Sequence, residues 1–463
     1  MCWRLLSGEK AALKGMLRQI PMSRAIWKLI VVLALFSSFV IAQTSPAPPP
    51  PIITLDEAIR RAQLNSVEFG AARTAYGTAN ANITIARSAI LPNVKGEAQY
   101  LYTQGTGTPS TAFPGGTPIF IANNAVHEYI GQANVHQDLS LALAYDYRRT
   151  QADSRVAKAR LEIAKRGLAV VVVQRFYGLA VAQRKLATSQ SAREEAQHFL
   201  KVSEELEAGG EVAHSDVIKA QIEANDKQRA FQEAELAVEN ARLDLALLLF
   251  KDFNQNFSIA DDLSTPTPMP TMDELAVQAR KSNPDLAAAL AARQSADYEV
   301  RSARSAYLPT LGFDYWYGLD STRVGWRIDG IRNVGYAAAA TLTVSVWNWG
   351  ATHAHVQQVE LARRQAQLEL TTAQKTLLAQ MQSLYAEARV SLSELDSLRQ
   401  SAALTADSLR LTEARYRGGE ATVLEVVDAQ NTLTLSRNAY DDGELRYRVA
   451  LANLQTLTGT LNP

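Results

Sequence analysis

A chain of 463 residues with zero formal net charge has no global electropositive signature, so composition gives no support to a nucleic-acid partner. Aromatics make up 7% and charged residues 20%, and Ala, Leu, Gln and Arg crowd long segments, which points to long helices rather than several compact cores. The single cysteine, Cys2, lies in a segment that reads as removed on export, which excludes disulfides and thiol chemistry from the mature chain.

Residues 1–42 read as a signal peptide; with Met22 as the start, 1–21 is a misassigned upstream extension. Arg24 and Lys28 precede the apolar run Leu29–Ala42, which closes on Val40-x-Ala42 before Gln43. That run falls short of the roughly 20 residues a spanning helix needs. Residues 43–53 form a proline-rich tether containing SPAPPPP, stiff and expected to be disordered against the body.

The chain then says the same thing twice. LDEAIRRAQLNSVEF…RSAILP over 55–92 recurs as MDELAVQARKSNPDL…RSAYLP over 272–309. Gly209-Gly210-Glu211 followed by Ala220–Gln221 recurs as Gly418-Gly419-Glu420 followed by Ala429–Gln430. One unit of roughly 200 residues has been duplicated, giving a first repeat over 54–260, a linker over 261–270 and a second repeat over 271–461.

Each repeat is expected to open with one helix of about 35 residues, N-capped at Thr54 with Glu57 at capping-box spacing, and stopped at Pro92 or Pro309. After each proline the pattern alternates with period two. Val94, Gly96, Ala98, Tyr100 and Tyr102 share one side of the first strand, and Tyr129, Gly131, Ala133 and Val135 one side of the second. The third places Leu311, Phe313, Tyr315, Tyr317 and Leu319 together; the fourth runs from Val334 through Tyr336 to Val346. One apolar, aromatic face and one polar face match membrane strands, and Trp316, Trp347 and Trp349 nearby suit a bilayer interface. Segments 105–118 and 321–332 are the hairpin connections.

A very long helix follows in each repeat, about Tyr145–Ala208 and Ala351–Arg417. At 1.5 Å per residue each is about 95–100 Å long. In the copy Leu377, Met381, Leu384, Ala388, Leu392 and Leu395 step by three or four, as in a coiled coil. The Gly-Gly pair ends the helix, and a return helix follows over 212–250 or 421–458. Each repeat is thus a two-stranded hairpin at one end and a helical hairpin at the other.

Four strands do not close a barrel, whose small forms have about eight, and open strand edges are not tolerated in lipid. Several copies must therefore share one barrel; strand counting alone allows two, three or more. Mixed polar and small side chains all round the long helices suit a tube wet on both sides.

The repeat, the Leu-Pro strand junctions, the YRGGEATVLEVVDAQNTL tip and the closing LANLQTLTG together resemble the TolC-like outer-membrane efflux protein family, over residues 54–461. The resemblance implies a mixed α/β membrane protein that assembles as a homotrimer. A 12-stranded β-barrel in outer-membrane lipid would continue into a 12-helix α-barrel across the periplasm. It further implies an exit channel that docks with a periplasmic adaptor and an inner-membrane pump.

The resemblance also carries residue roles. Glu425 and Asp428 fall where the family's two constriction aspartates lie, and their i, i+3 spacing puts both on one helix face. Asp216 and Tyr416 fall on two positions of the family's closed-state links. The arginine completing that lock falls on Ala421, a departure for which Arg415 and Arg417 are the candidate substitutes. The adaptor-docking tips fall on Gly209-Gly210-Glu211 and Gly418-Gly419-Glu420, where only the central glycine of the family's pattern is kept.

His353 and His355, two apart with no acid cluster, are poorly spaced as metal ligands. No phosphate loop, nucleophile elbow or paired-histidine zinc helix is present, so neither enzyme activity nor a cofactor is expected. Two other functions compete with efflux: the outer-membrane component of type I protein secretion, and a periplasmic coiled-coil scaffold without a pore.

Overall fold

The structure is a computed structural model that describes residues 51–103, 127–265 and 268–459. In chain order, β1 (Ile52–Ile53), α1 (Leu55–Asn65), α2 (Val67–Ser88), β2 (Asn93–Tyr102), β3 (His127–Leu139), α3 (Leu141–Ala208), α4 (His214–Leu249) and β4 (Ser258–Ile259) come first. They are followed by α5 (Met272–Ser282), α6 (Pro284–Ser305), β5 (Thr310–Ser321), β6 (Arg327–Ile328), β7 (Ile331–Arg332), β8 (Gly335–Thr343), α7 (Ala351–Arg417) and α8 (Val423–Thr458). The signal segment, most of the tether and the 105–118 connection lie outside the described residues.

Each opening helix is two helices, not one. The chain turns extended at Ser66 and at Asn283, and each of these side chains caps the helix that follows, accepting from Phe69 N at 3.2 Å and from Leu286 N at 2.8 Å. Pro284 explains the second break, because a residue before proline is pushed out of the helical region. The breaks let short helices stack end to end with the return helices. Asn65 donates to Leu249 O at 2.6 Å and Asn283 to Leu457 O at 3.3 Å, satisfying carbonyls that a helix end leaves open. Long helices α3 and α7 run full length beside these stacks: α2, α3, α6 and α7 are successive neighbours near the strands, and α3, α4, α7 and α8 pack together towards the tips. No described helix is long and apolar enough to cross a membrane.

The four long strands form one antiparallel sheet in the order β2-β3-β5-β8. Its register aligns the period-two faces of all four. Val94, Val135, Tyr315 and Ala338 make one row, and Gly96, Ala133, Tyr317 and Tyr336 the next. The opposite face carries Asn93, His136, Asp314 and Ala339, with His136 Nδ1 2.8 Å from Asp314 Oδ1. Trp316 stands on this polar face opposite Asn134, so it does not join the aromatic side. Trp347 and Trp349 pack edge to face beyond the sheet, exposed. Pairing in the last strand stops at Thr343, short of Val344 and Val346. The 321–332 connection folds into the small hairpin β6–β7.

The main core sits where the helix stacks change over. Phe176, Val172, Leu179, Ile59, Leu245 and Leu249 are almost wholly buried there. Ile53 joins them, held by the parallel pair of β1 with β4, so the last residues assigned to the tether are ordered structure. The 261–265 part of the linker is strapped down as well. Arg184 grips Asp261 with two hydrogen bonds of 2.8 and 2.9 Å, and Arg448 donates to the carbonyls of Asp262, Leu263 and Thr265. Asp261 is an anchor, not a passive linker residue. In α7 the buried stripe runs through Leu377, Met381 and Ala388 to Ser391, and Leu392 lies outside it, 39% exposed. A step of three rather than four at that point keeps the seam facing its neighbour.

Candidate functional site

Both helical hairpins turn through the same motif. Gly210 and Gly419 adopt φ of +78° and +74°, whereas Gly209 and Gly418 stay in the right-handed region at −75° and −84°. Gly210 N donates to Glu207 O and Glu211 N to Leu206 O; Gly419 N donates to Tyr416 O and Glu420 N to Arg415 O. This is the Schellman arrangement, and it needs glycine only at the left-handed position. Each predicted docking triplet therefore sits at an exposed apex.

The helices leaving the two turns differ. In α8, Thr422 accepts from Glu425 N at 3.3 Å, and Glu425 Oε1 accepts from Thr422 N at 3.2 Å, a complete capping box. In α4 the matching residue is Ala213, which offers no cap, and His214 instead lies 2.7 Å from Glu207. The repeat alignment pairs Asp216 with Glu425 and Lys219 with Asp428. The first tip thus neutralises its own carboxylate, since Lys219 Nζ is 3.0 Å from Asp216. The second keeps two acids on one face.

Glu425 is also approached from the far side of the turn. Arg415 Nη1 lies 3.5 Å from its carboxylate, and Arg415 Nη2 donates to Glu420 O at 3.0 Å. Of the two arginines weighed as a replacement for the one missing at Ala421, Arg415 reaches this network. Both partners are about half exposed, with side chains at 53% and 46%, so the pair is worth less than about 1 kcal/mol. Asp428 is exposed and makes no hydrogen bond or ion pair among the described residues.

Tyr416 is placed differently from Asp216. Its ring is buried against Phe199 at a centroid distance of 5.0 Å, and its hydroxyl lies 3.2 Å from Ser203 Oγ. It joins α7 to α3 inside one protomer, and the structure does not bring it to Asp216, whose partner is Lys219. Ala421 packs on the same apolar cluster, with Val426, Leu433, Ala220 and Leu409. Sequence reading missed the Arg415 contact with Glu425 and the Tyr416 contact with Ser203, because both depend on which helix faces meet across the turn. His353 and His355 face glutamines, and no described group of three or more His, Cys, Asp or Glu is arranged for a metal.

A family model described as outer membrane efflux protein matches residues 58–249 and 275–460. The chain is 25% identical over 426 residues to the pyoverdine export outer membrane protein OpmQ of Pseudomonas aeruginosa, covering 88% of this chain and 83% of that protein. It is 23% identical over 211 residues to the outer membrane protein TolC of Escherichia coli, a match that spans 44% of this chain and 43% of that protein. Among solved structures, the Campylobacter jejuni CmeC outer membrane channel shares the fold, with a TM-score of 0.74 at 18% identity over 88% of this chain and 87% of that one.

Proposed function

The chain belongs to the outer membrane efflux protein family, and from that premise we propose that it is the passive exit duct of an efflux system, working as a homotrimer. The observation that carries this reading is the sheet. Four strands share one continuous apolar and aromatic face, and β2 and β8, the outermost strands of the sheet, are paired on one side only among the described residues. An open edge in lipid leaves backbone groups without partners, so further copies must complete the barrel. Three copies give twelve strands and, below them, twelve full-height helical positions.

Transport through such a duct needs no site for chemistry. Energy comes from an inner-membrane pump, and a periplasmic adaptor docks on the exposed glycine turns at 209–211 and 418–420. Glu425 and Asp428 supply the constriction, two acidic rings in a trimer, which repel one another when tight and select ions by sign. Lys219 beside Asp216 is why the first tip is not the selective one. Arg415 screens part of the Glu425 charge. Tyr416 and Asp216 are the proposed closed-state links; Tyr416 acts within the protomer through Ser203, and Asp216 would exchange Lys219 for a neighbouring copy.

The test is single-channel conductance in planar bilayers, wild type beside Glu425→Ala/Asp428→Ala. Low, cation-preferring wild-type conductance that rises and loses selectivity in the variant is expected. Equal conductance and selectivity from both would remove these acids from the constriction. Absence of any conductance would return the pore-less scaffold to first place.

A further inference from the structure

For the tip region to widen, the second hairpin (α7 with α8) must swing away from the first (α3 with α4). The contacts across the seam between the two hairpins therefore set how readily it does so. The apolar ones are modest: Phe199 and Ala220 of the first hairpin meet Leu409, Val426 and Leu433 of the second. Beside them stands a buried lysine. Lys227 of α4 donates to Asn431 Oδ1 of α8 at 2.7 Å, a bond that crosses from one hairpin to the other.

An ammonium group taken out of water is costly unless it is paired and hydrogen-bonded. The Lys227 side chain is 10% exposed and that of Glu223, one turn away on the same helix, 11%, with 3.2 Å between Lys227 Nζ and Glu223 Oε1. That separation makes an ion pair, yet Glu223 Oε1 satisfies no hydrogen-bond geometry and is buried without a partner. Coulomb attraction is far less directional than a hydrogen bond, so the pair attracts although the carboxylate oxygen gains no hydrogen bond from it. Among the described residues Asn431 thus accepts the one hydrogen bond Lys227 makes, and it belongs to the other hairpin.

The neighbourhood is poised rather than saturated. Gln430, next to Asn431, is 2% exposed, and neither its amide nitrogen nor its amide oxygen has a partner. It falls between Val426 and Leu433 in the buried stripe of α8. Parting the hairpins would hydrate Gln430, Glu223 and Lys227 together, offsetting much of the apolar surface lost. Beside the apolar contacts this seam holds through specific bonds, Lys227 to Asn431 at 2.7 Å and Tyr416 to Ser203 at 3.2 Å, and loosens when either breaks.

We infer that Lys227 is the pin of this seam: a positioning residue that, by holding Asn431, keeps the second hairpin of each protomer against the first and sets the resting aperture. This rests on the exit-duct reading. Ala421 offers no polar group at the tip, so the pin adds to the tie that Tyr416 makes with Ser203 at 3.2 Å.

The experiment compares single-channel conductance of the full-length protein, reconstituted as assembled oligomers, for wild type, Lys227→Met and Asn431→Asp. Methionine keeps the length of the stem and removes the charge. Aspartate gives the ammonium a carboxylate in place of an amide, a stronger bond. Resting conductance should rise several-fold in Lys227→Met and fall below wild type in Asn431→Asp. These opposite signs would not come from a residue that merely supports folding. Wild-type conductance in both variants, or an increase in both, would overturn the inference while leaving the duct intact. A wild-type protein that never conducts would overturn the duct reading and the inference with it.

Discussion

Replacing one glycine at a time at the second tip separates backbone need from everything else the turn does. Gly419 has φ +74° and no atom within 4 Å of where a Cβ would stand. An alanine there meets no clash, so its whole cost is conformational, about 1 kcal/mol for an L-residue forced left-handed. Gly418 has φ −84°, and its Cβ would lie 3.4 Å from Arg415 O, an ordinary contact. Alanine at 418 should therefore be neutral or slightly stabilising, through the unfolded chain. The reporter is the Glu420 amide, which donates to Arg415 O at 2.9 Å and closes the turn. A loss of about 1 kcal/mol in local opening free energy speeds its hydrogen exchange roughly fivefold. Gly419→Ala and the Ala-Ala double variant should both show that acceleration and impaired export with oligomers intact. Gly418→Ala should exchange and export like wild type. If Gly418→Ala proves as disruptive as Gly419→Ala, the pair is required for space at a docking surface, and the left-handed-turn argument is wrong.

Two further predictions concern the middle of the molecule. Arg184 holds Glu444 at 2.6 Å and Asp261 bidentately, with Asp441 at 3.7 Å, and the side chains of Glu444 and Asp441 are only 7% and 10% exposed. Arg184→Ala strands those carboxylates and should cost on the order of 3 kcal/mol, seen as a clear drop in melting temperature with faster proteolysis at 261–265; Arg184→Lys, lacking the fork, should fall between. An unchanged melt would show that the strap is ornamental. Burial holds the Asp441 carboxyl above its ordinary range, reinforced by Glu444 and opposed by Arg184 and Lys185. The folded protein thus binds this proton more tightly than the unfolded chain, a contribution complete below the unfolded value and lost as pH rises through the folded one. Asp441→Asn should consequently raise the melting temperature near neutral pH and make little difference at about pH 3; the reverse order would contradict the burial argument.

Much of this molecule was legible as pattern. Alternation along 94–102 and 311–319 fixed which side of each strand is apolar, because side chains on a strand have period two whatever lies beside them. Proline-free runs defined α3 and α7, and Gly-Gly their ends. The break before Pro284 was equally local, yet the strength of the helical pattern on either side hid it, and Ser66 offered only a capping hydroxyl. The same alternation sets Trp316 on the side away from Tyr315 and Tyr317, where it stands opposite Asn134.

What the sequence determined by itself is therefore everything set by neighbours within a turn or two: helix, strand, cap, turn and the duplication that repeats them. Tertiary structure alone decided the register that aligns four apolar faces, the grip of Arg415 on Glu425, the Arg184 strap on Asp261, and the bond from Lys227 to Asn431. Each of these joins residues on different elements through side chains several bonds long. Which of them meet depends on how helices rotate and slide as they pack, and no periodicity along the chain encodes that.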